Sequence, residues 1–172
     1  MNKTVLQIAL LFLVLVLVQV MCYKILLFGV ATPLVFIYVI LRLPVTWHMN
    51  ITLTIAFVMG LIVDVFNNTP GMNALCCTLL ATFREPIFAL YVPRENEMSN
   101  PVPCVDTLGF GAYLKYMSTL VLVFSTLLFL VQAFTLHNWP LTLMRIGASS
   151  LLTIILLLAL DSLVSTRREK RL

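Results

Sequence analysis

Five charged side chains fall inside or at the edge of long apolar runs, where a charge needs a partner. An unpaired charge at the centre of a membrane helix costs at least about 2.5 to 3.5 kcal/mol, so such a residue marks an ion pair, a binding site or a proton path by default. The candidate charge network consists of Asp64, Arg84, Glu85, Arg145 and Asp161.

Depth along the apolar runs predicts how these charges pair. Asp64 lies close to the end of its run, and Arg145 lies about four residues into a run that begins on the same side. Arg84 lies much deeper, so Asp161 is its closer match once the long arginine side chain extends toward that end. We therefore expect one pair between Asp64 and Arg145 and another between Arg84 and Asp161.

The tripeptide Arg84-Glu85-Pro86 allows two interpretations. A residue that precedes proline is biased away from helical dihedral angles, so the helix is expected to kink or unwind at Glu85. Exposed carbonyls beside two charges can form a ligand or ion site in a transporter. The simpler alternative is a kinked helix with a neighbouring ion pair, packed against protein.

Asp64 also belongs to a stripe with Ala56 and Gly60 at four-residue spacing. Small residues on one helix face allow a second backbone to approach closely, so the stripe predicts a packing seam that ends in a polar group. Asp64 then either contacts a partner helix or substrate, or bonds the backbone of the following turn as aspartate commonly does. The sequence leaves both roles open.

No pattern typical of an enzyme is present. His48 and His137 fall in connecting segments beside tryptophans, as in an interfacial aromatic belt, and neither has metal-ligand spacing. Cys76 and Cys77 lie in an apolar run, where cysteine behaves as a small hydrophobic residue. Nucleophile-elbow and phosphate-loop motifs are missing. We predict a non-enzymatic protein with no metal and no cofactor.

The elements that must position these residues are membrane helices. The 172 residues are 61% hydrophobic and only 10% charged, against roughly 25% charged residues in soluble domains. Apolar windows of the length that crosses a bilayer recur along the chain. We predict an all-α, polytopic protein with one integral membrane domain over residues 1–172. Its six spans cover about 5–21, 25–41, 51–66, 72–92, 114–134 and 141–163, and a cytoplasmic loop covers 93–113.

The second span is the least regular of the six. Only Cys22-Tyr23-Lys24 separates it from the first span, and a merged helix of nearly 40 residues is too long for one crossing. A helical hairpin is therefore expected, in which Gly29 and Pro33 let the second span bend or begin late.

Lysine and arginine placement predicts the orientation. With six spans, both termini lie on the same side of the membrane, and that side holds eight lysines and arginines. The other side holds only Lys24 and Arg145. Because cytoplasmic segments carry the excess of lysine and arginine, both termini are expected in the cytoplasm. The basic tail 167–171 is interpreted as an anchor at the bilayer surface, with no role in nucleic-acid binding.

The block GLIVDVFNNTPGMNALCCTLLATF, in which Gly60 and Asp64 close one helix and Pro70-Gly71 opens the next, resembles the bacterial rod shape-determining protein MreD family. The resemblance implies a bacterial inner-membrane scaffold of the cell elongation machinery. Such a scaffold binds the single-span protein MreC and works with MreB, RodA and a penicillin-binding transpeptidase in peptidoglycan synthesis. That family is similar in fold to the substrate-binding subunits of energy-coupling-factor vitamin transporters. The alternative function is therefore that of a substrate-binding membrane subunit of a small-molecule, vitamin-type transporter. Gly60, Asp64, Pro70 and Gly71 carry over from the motif.

Overall fold

The computed structural model is all-helical in the part of the chain that it describes, which comprises residues 10, 12–19, 32–45, 47–69, 71–91, 103, 105–133 and 139–169. Helix α1 is described over residues 12–19. The other helices are α2 (Ile37–Arg42), α3 (Met49–Asn67), α4 (Met72–Tyr91), α5 (Val105–Leu108), α6 (Phe110–Ala133) and α7 (Trp139–Glu169).

The predicted membrane character is confirmed by four of these helices. Within the described residues, α3, α4, α6 and α7 are each long and apolar enough to cross a bilayer. Their bounds match the third to sixth predicted spans to within a few residues, except that α7 continues to Glu169. The chain is therefore a multi-pass membrane protein, built on a frame in which α3 packs against α4, α4 against α6, and α6 against α7.

The second predicted span is not one continuous helix in its described part. Thr32, Pro33 and Leu34 are non-helical, and a turn then leads into the six-residue helix α2. Proline lacks an amide donor and disfavours helical dihedral angles in the residue before it, which explains the late start of the helix. Residues 21–31, which include the rest of this span and its junction with the first, lie outside the described residues.

The predicted cytoplasmic loop is shorter than expected at its C-terminal end. Residues 105–108 form α5, and α6 begins at Phe110 rather than near residue 114. Gly109 separates the two helices with a φ of 80°, a left-handed conformation that glycine adopts at little cost. This arrangement places Tyr113 inside α6, where it is buried.

The short helix α2 lies at the centre of the core. All six of its residues are buried, as are the three hydrophobic residues that precede it. Phe36 packs edge to face on Phe124 of α6, with ring centroids 5.6 Å apart. The non-helical segment is therefore covered by protein, where irregular backbone is tolerated at membrane depth.

Candidate functional site

The carboxylate of Asp64 caps the start of α4 from the end of α3. Its Oδ1 accepts hydrogen bonds from the Thr69 hydroxyl, the Asn73 amide N–H and the Asn73 side-chain amide at 2.7 to 3.0 Å. Its Oδ2 accepts from the Ala74 N–H at 2.9 Å. An anion at a helix N-terminus binds unpaired amide donors and the positive end of the helix dipole. Of the two predicted roles, the structure therefore contains the local one.

Gly60 allows α3 and α4 to approach closely enough for this cap. A Cβ atom on Gly60 would lie 2.4 Å from the Ala74 Cα and 2.7 Å from the Asn73 carbonyl oxygen. Ala56, one turn earlier on the same stripe, is fully buried. The stripe is thus a packing seam within the chain itself. Gly71 directly precedes α4 and has a φ of 75°, and Pro70 lies outside the described residues.

At the end of the bundle opposite Asp64, the carboxylate of Asp161 is bound by three side chains. Its Oδ1 pairs with the Arg42 guanidinium and accepts hydrogen bonds from the hydroxyls of Tyr38, at 2.9 Å, and Tyr113, at 3.2 Å. The guanidinium also lies over the Tyr38 ring, 5.3 Å from its centroid. This buried cluster joins α2, α6 and α7, and we call it the Asp161 cluster.

The structure does not form either predicted ion pair. Arg84 is buried but donates instead to the Leu43 carbonyl and to the Tyr116 hydroxyl. Asp161 is paired with Arg42. This arginine directly follows the predicted second span (25–41), and the short helix α2 brings it into the core. Depth alone could not show this, because the path of residues 32–42 decides which arginine reaches Asp161.

The predicted pair between Asp64 and Arg145 does not form, because both carboxylate oxygens of Asp64 already accept hydrogen bonds from the α3–α4 turn and the start of α4. Arg145 is half-buried and makes no ion pair or hydrogen bond with any residue in the described ranges.

Helix α4 does not unwind at Glu85, which corrects the expectation drawn from Arg84-Glu85-Pro86. The helix runs through Pro86 to Tyr91, and Glu85 is exposed on its surface. The pre-proline bias is weaker than the helical packing of α4 against α3 and α6. The unwound backbone that a transporter site would need lies elsewhere, at residues 32–34.

Side chains from distant helices satisfy that unwound backbone. Thr153 of α7 accepts from the Leu34 N–H at 3.2 Å, and Ser149 accepts from the Thr32 N–H at 3.1 Å. Gln19 of α1 donates to the Pro33 carbonyl and accepts from the Val35 N–H, at 2.8 and 2.9 Å. Buried amide groups without such partners would each cost several kcal/mol in a bilayer.

A cavity of about 180 Å³ lies beside the unwound segment, at the end of the bundle that holds the α3–α4 turn. We call it the hairpin-end cavity. Its deeper wall contains buried residues, among them Gln19, Leu34 and Leu128, and its rim contains the half-exposed residues Asn67 and Arg145. The complete lining is Gln19, Thr32, Leu34, Asn67, Thr69, Asn73, Leu128, Phe129, Gln132 and Arg145.

Sequence reasoning missed most of the polar residues that organise these sites. Gln19, Tyr38 and Thr153 lie within predicted apolar spans, and Tyr113 ends the predicted loop, so none of them stands out in the sequence. One signal was available, because Ser149 and Thr153 stand four residues apart on an otherwise apolar helix and thus share a face. In the described part of the chain, no group of three or more His, Cys, Asp or Glu side chains could hold a metal ion.

Fold and site together define a multi-pass, all-α membrane protein in which the two buried acids of the described residues, Asp64 and Asp161, are bound by groups of its own chain. Comparison with protein-family models, with curated proteins and with solved structures finds no match.

Proposed function

We propose that this protein is a non-enzymatic scaffold of the bacterial inner membrane, with both termini in the cytoplasm, that binds an MreC-like single-span protein in the cell elongation machinery. MreB, RodA and a penicillin-binding transpeptidase are the further members of the complex. The proposal rests first on the resemblance of the block around Gly60, Asp64, Pro70 and Gly71 to MreD.

The use of Asp64 is the structural observation that supports this role. All four of its hydrogen bonds hold the α3–α4 hairpin together, so the motif builds a rigid frame and leaves no free carboxylate for a substrate. A scaffold needs such a frame together with apolar helix faces on which a partner helix can pack. Exposed apolar residues are plentiful on α3 and α7, including Phe57, Leu61, Leu143 and Leu151.

Site-specific photo-crosslinking in native membranes tests the proposal. A photoreactive amino acid is placed at Leu61 on α3 or at Leu151 on α7, both exposed, and at the buried Met59 as a control. We expect one exposed position, and not Met59, to crosslink a single-span protein that also co-purifies with the tagged chain. Recovery of an ATP-driven transport module in its place would contradict the scaffold role.

A second candidate function is favoured by the hairpin-end cavity. A substrate-binding subunit of a vitamin-type transporter needs convergent polar groups in a pocket, and this cavity collects several amides and an arginine. However, its volume of about 180 Å³ is below the ~300 Å³ at which pockets for drug-sized ligands begin. The scaffold therefore remains the better-supported function.

A further inference from the structure

We infer that the hairpin-end cavity binds a small anionic group, a phosphate or a carboxylate, through the guanidinium of Arg145. The anion comes either from a lipid headgroup or from a free solute. This binding does not depend on the scaffold role, because it concerns one cavity and its own rim.

Arg145 is a cation in need of a counter-charge. It is half-buried at the rim, and within the described residues it has no ion pair and no hydrogen bond. Its neighbours in the lining are neutral, and Asp64 is not among them. An arginine without a partner at the edge of an apolar core is unfavourable, whereas its planar fork binds phosphate and carboxylate in a bidentate manner.

The hydrogen bonds around the cavity leave few groups free to donate to a ligand, which favours an anion held mainly at Arg145. Thr69 donates its hydroxyl proton to Asp64, and the Asn73 side-chain amide donates to Asp64 and Thr69. Gln19 is occupied by the backbone of the unwound segment. Asn67, whose side chain makes no hydrogen bond within the described ranges, stands at the rim and can supply an amide donor.

The size of the cavity agrees with a headgroup-sized ligand. A cavity of about 150 Å³ in another protein accepts a molecule as large as benzene. The hairpin-end cavity, at about 180 Å³, therefore has room for a phosphate or carboxylate with a few attached atoms. Because its rim lies next to the α3–α4 turn, such a group can enter from the level of the lipid headgroups.

Native mass spectrometry of the full chain, released from detergent, measures the binding. One arm adds short-chain phosphatidylglycerol, with phosphatidylcholine as the zwitterionic comparison, and the other adds glycerol phosphate. The variants are Arg145→Gln, Arg145→Lys and Lys115→Gln, the last removing the same charge from an exposed site on α6. Asn67→Trp is included to block the rim without changing the charge.

We expect the anion to bind Arg145→Gln about ten- to a hundredfold more weakly than wild type, with Lys115→Gln unchanged and Asn67→Trp also weakened. If Arg145→Gln binds phosphatidylglycerol more weakly than wild type does, the ligand is a lipid headgroup. If it binds glycerol phosphate more weakly, the ligand is a free anion. Equal binding by wild type and Arg145→Gln would overturn the inference. So would an equal loss in Arg145→Gln and Lys115→Gln, which would indicate nonspecific attraction.

Discussion

The carboxylate of Asp64, which belongs to α3, caps the start of α4. A helix is more commonly capped by the side chain of the residue that directly precedes it. Asp64 accepts hydrogen bonds from the amide N–H groups of Asn73 and Ala74 at the start of α4, and also from the side chains of Thr69 and Asn73. Hydrogen bonds to a charged acceptor are each worth about 1.5 to 3 kcal/mol, and a buried donor left unpaired costs a similar amount. The residue therefore fixes the geometry of the hairpin as well as its stability.

Replacing Asp64 should destabilise the fold much more than replacing the exposed acid Glu85. We expect Asp64→Ala to lower the free energy of unfolding by at least about 2 kcal/mol, since it leaves buried amide donors of α4 unpaired. Asp64→Asn, which keeps one acceptor oxygen, should be intermediate. Unfolding in mixed micelles measures the effect, and Glu85→Gln, an exposed acid on α4, is the control that should change stability by less than about 0.5 kcal/mol. Equal effects in Asp64→Ala and Glu85→Gln would contradict the cap.

Gly60 is required for a different reason, which is space. Gly60→Ala places a methyl group 2.4 Å from the Ala74 backbone, so α3 and α4 must separate, at a cost of about 1 to 3 kcal/mol or more. Gly147→Ala is the matched control, because a Cβ there meets nothing within 4 Å in a helix that alanine favours. Thermal unfolding of both variants should show a clear loss for Gly60→Ala and no loss for Gly147→Ala. A harmless Gly60→Ala would mean that the helices are not in close contact at this position.

At the scale of elements, the unwound segment before α2 depends on polar side chains that belong to α1 and α7. Its amide groups have no helical partners, and the hydroxyls of Ser149 and Thr153 take their place. The segment is held in one conformation by residues that appear, in the sequence, to be minor interruptions of an apolar helix.

Removal of the Thr153 hydroxyl should therefore loosen the segment. We expect Thr153→Val to destabilise the protein by about 1 to 3 kcal/mol, because the volume is kept while the buried Leu34 amide loses its acceptor. Hydrogen exchange followed by mass spectrometry should show faster exchange in peptides that contain Leu34. Thr82→Val, at an exposed threonine of α4, should leave that exchange unchanged. Unaltered exchange in Thr153→Val would show that the hydroxyl does not protect this amide.

Sequence reasoning predicted the elements well where periodicity and length decide the outcome, as for α3 and α4. It also identified the packing stripe of Ala56, Gly60 and Asp64, because local spacing encodes that seam. It did not predict the partners of Arg84 and Asp161, because these depend on where α2 lies after the unwound segment. The hairpin-end cavity was equally hidden, since Gln19, Thr32 and Arg145 are brought together only by tertiary packing.

At the scale of the whole molecule, the Asp161 cluster connects the first part of the chain to the last. Arg42 and Asp161 are 119 positions apart in sequence, and Tyr113 joins them from α6. Removing one member of a buried pair leaves the other charge uncompensated, whereas removing both leaves no unpaired charge.

A double-mutant cycle should reveal this coupling. We expect Arg42→Met and Asp161→Asn each to cost about 3 to 5 kcal/mol and the double variant to cost less than the sum of the two. The cycle is measured by unfolding in mixed micelles. Pairing Arg84→Met with Asp161→Asn is the comparison, since Arg84 donates to Leu43 and Tyr116 instead. Stronger coupling for Arg84 than for Arg42 would contradict the arrangement of the cluster.

The sequence separation between hydrogen-bonded partners also sets the order in which these contacts can form while the chain is synthesised. The Asp64 cap joins residues only nine and ten positions apart, so the α3–α4 hairpin can close while later residues are still being added. Leu34 and Arg42 bond to residues 119 positions further on. At ribosomal rates of about 5 to 20 residues per second, these groups wait roughly 6 to 24 s for α7. A nascent chain stalled before α7 therefore presents an unneutralised arginine to the translocon and to membrane quality control.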